Sequence, residues 1–194
     1  MRLAVLVFSL CFSSVVKAET LDEDKVSAAI VKLLHKVPNH KLRKNTEYRK
    51  EFSKAILDAA GKAGVPAALV LATAYRESTL RTNLVGAIGE RGVMQLHGKA
   101  QWQYCRKVEN RKINRKDYKD QLICGAHWLR YSIDICDGTY YQGISSYMTK
   151  NTCKPKKGSK LSRIVLSRLK LMQRINKGEL DVWLRRQAKL EGSK

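Results

Sequence analysis

The stretch Tyr75 to Leu96, YRESTLRTNLVGAIGERGVMQL, sets one carboxylate, Glu77, at the end of an apolar run and follows it with Gly86, Gly89 and Gly92 and the amide of Gln95. A carboxyl shielded from water is a candidate proton donor and acceptor. On a helix starting near Ala67, Val70, Ala74 and Glu77 share one face, so Glu77 ends a core-facing stripe. It also falls near the helix C-terminus, whose partial negative charge disfavours a carboxylate. Burial and dipole both favour the protonated acid. The competing reading is a solvated glutamate paired with Arg81, one turn on. The three glycines let backbone pass close to a ligand or adopt positive φ. Met94 and Gln95 then set an apolar wall and an amide beside the acid, and an amide suits sugar hydroxyls and N-acetyl groups. A phosphate-cradling loop is the rival, but no G-x-x-x-x-G-K-[ST] follows a strand here. Glu90 is the other acid of the turn, in GERG, where a tip charge is usually solvated. A two-carboxylate glycosidase would need such a partner about 5–9.5 Å away.

The elements that must position these groups read as helices. Val26, Ile30 and Leu33 stripe one before Pro38, and Phe52, Ile56 and Ala59 stripe a second ending near Gly61. Pro66 stands near the start of the helix that delivers Glu77, where its missing N–H costs little. Leu122, Ala126, Leu129 and Ile133 recur at helical spacing from Gln121 to Ile135. Asp137-Gly138 breaks that helix, and a short one from Thr139 to Met148 follows. Leu161, Val165, Leu169 and Met172 stripe a basic C-terminal helix carrying Arg163, Arg168, Lys170, Arg174 and Lys177. Those charges fit a solvated face, with docking on an anionic wall or membrane surface as the alternative. No alternating strand pattern stands out, so the fold class is all-α, with one core.

Residues 1–18, MRLAVLVFSLCFSSVVKA, have the layout of a secretory signal peptide: a positive start at Arg2, an apolar core and Ala18 before a cut. The apolar run is shorter than the roughly 20 residues a bilayer span needs. Without Arg2 and Lys17 the 38 basic residues fall to 36, which against 17 acidic ones leaves a net charge of +19. That charge favours anionic surroundings such as an envelope polymer. Nucleic acid is not expected, because the Lys and Arg residues lack interleaved stacking aromatics and the leader points away from it. Cys105, Cys124, Cys136 and Cys153 remain in the mature chain, an even count that suggests two disulfides. If Cys124 and Cys136 share a helix they lie about 18 Å apart and cannot bond. Pairing 105–124 with 136–153, or 105–136 with 124–153, stays open. A fold-back over 139–149 would bring Cys153 toward Cys124 and favours the second. Metal-ligand spacing is absent, and no cofactor is expected.

Glu77-Ser78 followed by GVMQL at Gly92 to Leu96 resembles the soluble lytic transglycosylase domain, a lysozyme-like fold. AILDAAGKAGVPAALVLATAYRES is similar to that family's approach helix. A second block, Gln121 to Met148, resembles the family's N-I-x-x-G-x-x-Y-L segment leading into A-Y-N, with Gly125, Leu129, Gly138 and Tyr147 in register. The resemblance spans roughly residues 50–175. It departs from the pattern at Gly86, where the family has a second serine-like position, and at His97-Gly98, where a proline-rich stretch is expected. The Asn of A-Y-N is Met148, and the A-G after it is Thr149-Lys150, which removes one polar group from the cleft; Asn151 lies nearby.

The resemblance implies an enzyme that cuts the β-1,4 bond between N-acetylmuramic acid and N-acetylglucosamine in peptidoglycan without water, leaving a 1,6-anhydro end. It carries the catalytic glutamate onto Glu77 and implies that Ser78, Met94, Gln95 and Tyr147 position sugar and acid, Tyr147 by a hydrogen bond to Glu77. The expected organisation is a signal peptide at 1–18, an N-terminal helical extension at 19–45, the lysozyme-like domain at 46–177 and a basic tail at 178–194. The expected place is the periplasm or the exterior. The expected partners are peptidoglycan strands, anionic envelope polymers and a secretion or conjugation machine. A hydrolytic lysozyme and a non-catalytic wall-binding protein are the alternatives.

Overall fold

A computed structural model of the chain describes residues 21–149 and 152–177. The expected leader at 1–18, the tail at 178–194 and Asn151 lie outside the described residues. Eight helices and no strand occur among those residues, in keeping with the all-α expectation. They are α1 (Glu23–Leu33), α2 (Lys41–Lys44), α3 (Thr46–Ala63), α4 (Ala67–Ser78), α5 (Gly98–Glu109), α6 (Tyr118–Asp134), α7 (Tyr140–Thr149) and α8 (Lys160–Asn176).

Local chemistry fixes the ends of these helices. Asp22, Asn45, Asp117 and Ser159 each accept a backbone N–H at the start of α1, α3, α6 and α8, satisfying donors that a helix leaves orphaned. Gly64 closes α3 in the left-handed conformation, φ 63°. Pro66 takes the position just before α4.

One apolar core joins all of this. Phe52 and Ile56 of α3, Leu69 to Ala72 of α4 and Leu122, Ala126 and Leu129 of α6 have no exposed surface. Val26 and Ile30 of α1 are equally buried and belong to the same core, so the segment foreseen as an extension packs directly onto α3. Helix α3 lies against α6, α6 against α5 and α7, and α8 against α4 and α7. Among the described residues no single helix is long and apolar enough to cross a membrane.

Helix α5 is not expected from the sequence. Of its twelve residues only Gln101, Trp102 and Cys105 are buried, too few to show an apolar stripe. It decides the disulfides, because it sets Cys105 beside Cys124 of α6, with Cα atoms 5.1 Å apart. Cys136 lies beyond the end of α6 and bonds Cys153, with Cα atoms 5.4 Å apart. The pairing favoured on the fold-back argument, 105–136 with 124–153, is therefore corrected. That argument left α5 out.

Candidate active site

Helix α4 brings Glu77 to its last turn along the stripe foreseen, with Val70 and Ala74 fully buried beneath it. The Glu77 side chain keeps 19 % of its surface exposed, enough to be reached from outside and too little to be solvated freely. The helix then stops abruptly. Thr79 and Leu80 both take positive φ, 54° and 61°, a conformation that costs a β-branched residue energy and clusters at functional sites. The carbonyls exposed by this stop are claimed from outside: Arg81 Nε donates to Ser78 O at 3.0 Å, and His40, from the N-terminal segment, bonds the Thr79 backbone. Arg81 is thus spent on backbone and does not pair with Glu77.

A cation does meet Glu77, and it comes from the far end of the chain. Arg168 of α8 donates from Nη1 to Glu77 Oε1 at 2.6 Å. The arginine side chain is 6 % exposed, and its Nε has no partner among the described residues. The shielded acid foreseen from α4 alone therefore has a buried arginine as its partner. Arg168 does not belong to the solvated basic face foreseen for α8. Its register gave a signal: it lies three residues after Val165 and four before Met172, on the apolar stripe itself.

The glycine-bearing segment packs as a double turn over the end of α4. Single bridges join Val85 to Arg91 and Arg91 to Leu96. Gly92, at φ 76°, donates to Leu84 O, and its α-hydrogen face is covered so closely by the Gln121 side chain that a Cβ would not fit. Gln121 in turn accepts from Val93 N at 3.0 Å and donates to Arg115 O at 3.0 Å, so α6 holds the turn in place.

The four residues expected to position sugar and acid have distinct surroundings. Ser78 is buried and its hydroxyl bonds Ala74 O and Val93 O, at 3.1 and 2.8 Å. Met94 is fully buried against Gly125, where an added Cβ would come within 2.5 Å of its Cγ. Tyr147 donates to Met94 O at 2.7 Å, not to Glu77. Burial pushes the Tyr147 phenol well above its usual range; the Glu77 charge adds to this and Arg168 opposes it. Gln95 is half-buried at φ 47° and uses its amide nitrogen on Leu84 O and Gly92 O. Its Oε1 accepts from no described residue. That oxygen and the Glu90 carboxylate both crowd the face of Gly86, within 3 Å of where a Cβ would stand. Glu90 also accepts from Ile88 N at 3.2 Å. Met148, in place of the family Asn, is partly buried against the core.

Compared with known protein families, residues 54–161 match the Transglycosylase SLT domain. The match covers more than half of the chain, and the chain belongs to this family. No curated protein matches it. The matched span contains Glu77, the glycine turn and Tyr147 but ends before Arg168, so the cation on the candidate acid lies outside it.

Proposed function

We propose that the protein is a lytic transglycosylase that cleaves the bond between N-acetylmuramic acid and N-acetylglucosamine in peptidoglycan and leaves a 1,6-anhydro end. The observation that carries this reading is Glu77, a largely shielded carboxyl at the end of α4 that meets Arg168 of α8. As acid, Glu77 gives its proton to the glycosidic oxygen as that bond breaks. The substrate's N-acetyl group supports the cationic carbon and replaces a second carboxylate. Glu77 then takes the proton of the sugar's 6-hydroxyl as that oxygen closes on the same carbon. No water is consumed, and the acid is regenerated.

Arg168 fits this cycle as a stabiliser of charge. When the proton has left Glu77, the carboxylate meets a guanidinium already in place, in a setting where such an interaction is stronger than in water. The resting ion pair must open, or Glu77 must gain a proton beside Arg168, before each turnover. Gln95 Oε1, which has no partner among the described residues, is a candidate acceptor for a sugar N–H or hydroxyl. The leader expected at 1–18 and the paired cysteines support a place in the periplasm or outside the cell. Work at the envelope, whether wall remodelling, opening the wall for a secretion or conjugation machine, or lysis, follows from the same chemistry.

The test is digestion of purified peptidoglycan by wild type and Glu77→Gln, with mass spectrometry of the products. Wild type should release chains ending in anhydromuramic acid and the variant none. A reducing end would make the protein a hydrolytic lysozyme, and equal activity in both chains would remove Glu77 from the mechanism.

A further inference from the structure

Beside the glycine turn lies a cavity of about 290 Å³ with a one-sided charge. Arg91, Arg115 and Lys116 line it, with the donors of Thr82 and Asn83 and the Gln121 amide, and no carboxylate contributes to its wall. Among the described residues none of the three cations forms an ion pair, although Arg115 also leans over the Trp102 ring, 5.6 Å from its centroid. Elsewhere several basic side chains do have carboxylate partners: Arg111 holds Asp120 and Glu109, Lys62 holds Asp58 and Glu109, and Arg130 holds Asp134. Three unpaired cations around one concavity cost repulsion, which an anion would offset.

The cavity is also firmly built. Asp120 accepts from Asn114 N at 2.6 Å and from Arg111, fixing the loop that carries Arg115 and Lys116. Gln121 ties that loop to Val93. Thr82 follows Glu77 by five residues, so chain geometry keeps the cavity edge within about 18 Å of the acid.

We infer that this cavity binds a carboxylate of the peptide stem attached to the glycan, and so selects stem-bearing over stem-free strands. The inference rests on the proposed reading of Glu77 only in naming the polymer. The stem leaves the sugar next to the bond to be cut, and two or three extended residues span roughly 7–10 Å, which lies within that limit. A planar carboxylate suits the two guanidinium forks. The cavity is distinct from the basic surface at Arg106 and Lys107, where Arg111 is already neutralised.

The test measures binding rather than turnover, on the Glu77→Gln chain, with glycan strands before and after an amidase has removed the stems. Stem-bearing strands should bind about tenfold more tightly, the size of one charge-assisted hydrogen bond. Arg91→Ser with Arg115→Ser and Lys116→Ser should bring the ratio near one, while Arg106→Ser with Lys107→Ser and Lys112→Ser, removing as much charge, should leave it. Free stem peptide should compete. Should the triple variant melt early, Arg91→Ser and Lys116→Ser alone should each lower the ratio. Equal binding of both polymers, no competition by free stem peptide, or an equal loss in the control variant would overturn the inference. Failure of the wild-type digestion would sink the catalytic reading and leave this binding result untouched.

Discussion

Arg168 donates to Glu77 at 2.6 Å across ninety-one residues of chain, joining α8 to the last turn of α4. The arginine is the more deeply buried partner, 6 % exposed against 19 %. The pair therefore has unequal halves. Removing the glutamate strands a buried cation, whereas removing the arginine leaves a carboxylate that water can still reach. We expect Glu77→Gln to cost about 2 kcal/mol of stability, somewhat under the ~3–5 kcal/mol of a fully buried pair because Glu77 is partly wet. Arg168→Met in the same chain should restore most of it. Denaturant unfolding of both single variants and the double variant measures the coupling. Additive effects would mean that the ion pair contributes nothing. Activity should be lost in every chain without Glu77, whatever its stability.

The turn over Glu77 is set by a contact between α6 and Met94. Gly125 lies mid-helix, yet an added Cβ would meet the Met94 side chain at 2.5 Å, and Met94 has no exposed surface into which to move. Gly125→Ala should therefore destabilise the protein by about 1–3 kcal/mol through overpacking, despite the gain in helix propensity. Shortening the other partner makes room. Gly125→Ala with Met94→Ala should be more stable than the sum of the single changes, by thermal melting. Because Tyr147 bonds the Met94 carbonyl beside Glu77, Gly125→Ala should also lower activity on peptidoglycan.

These two contacts show what the sequence could carry. Helices α4, α6 and α8 are legible because their apolar residues recur at helical spacing, α7 follows the break at Asp137-Gly138, and Glu77 is placed by counting from Val70 and Ala74. The family resemblance between the two blocks agrees with the matched domain. Helix α5 escaped because Trp102 and Cys105 alone are too sparse a stripe, and the disulfide pairing escaped with it. The charge of Arg168 suggests a solvated residue, whereas its register on the apolar stripe marks it as buried. A cation on an apolar stripe needs an anion opposite, and no local pattern says which. The hydroxyl of Ser78 and the amide of Gln95 were likewise legible as polar groups near the acid, but their backbone partners depend on how the turn folds back.

His40 couples the N-terminal segment to the site and should make stability depend on pH. Its Nδ1 accepts from Leu42 N at 3.2 Å, capping α2, and the ring also bonds the Thr79 backbone just after Glu77. Burial lowers its pKa from 6.5; the Thr79 bond opposes that and Arg81 adds to it. In the folded chain His40 thus holds fewer protons than in the unfolded chain, and stability rises with pH in this range. The contribution is lost as pH falls through 6.5 toward the lowered folded value. Asparagine can cap α2 without titrating. Between about pH 7.5 and about pH 5, the melting temperature of wild type should fall more than that of His40→Asn. Parallel curves would show that His40 does not carry the effect.

The two disulfides should differ in how readily they open. Cys105 and Cys124 are both fully buried between α5 and α6, so a reductant reaches them only when the helices part. Cys136 is buried, but Cys153 is partly exposed in the stretch before α8. Under limiting reductant, Cys136 and Cys153 should be alkylated first, in the native state, and Cys105 and Cys124 only with global unfolding. Peptide mapping after timed alkylation reads the order directly. Replacing Cys105 and Cys124 by alanine opens a loop of 19 residues, and loops of that length are worth about 3 kcal/mol. Because that bond also clamps α5 against the helix whose Gln121 holds the glycine turn, its loss should lower activity below the unfolding temperature. Loss of Cys136–Cys153 acts instead on the approach to α8, and so on how firmly Arg168 is presented to Glu77. If both cysteine pairs reacted at one rate, the two bonds would open in a single cooperative event and this ordering would be wrong.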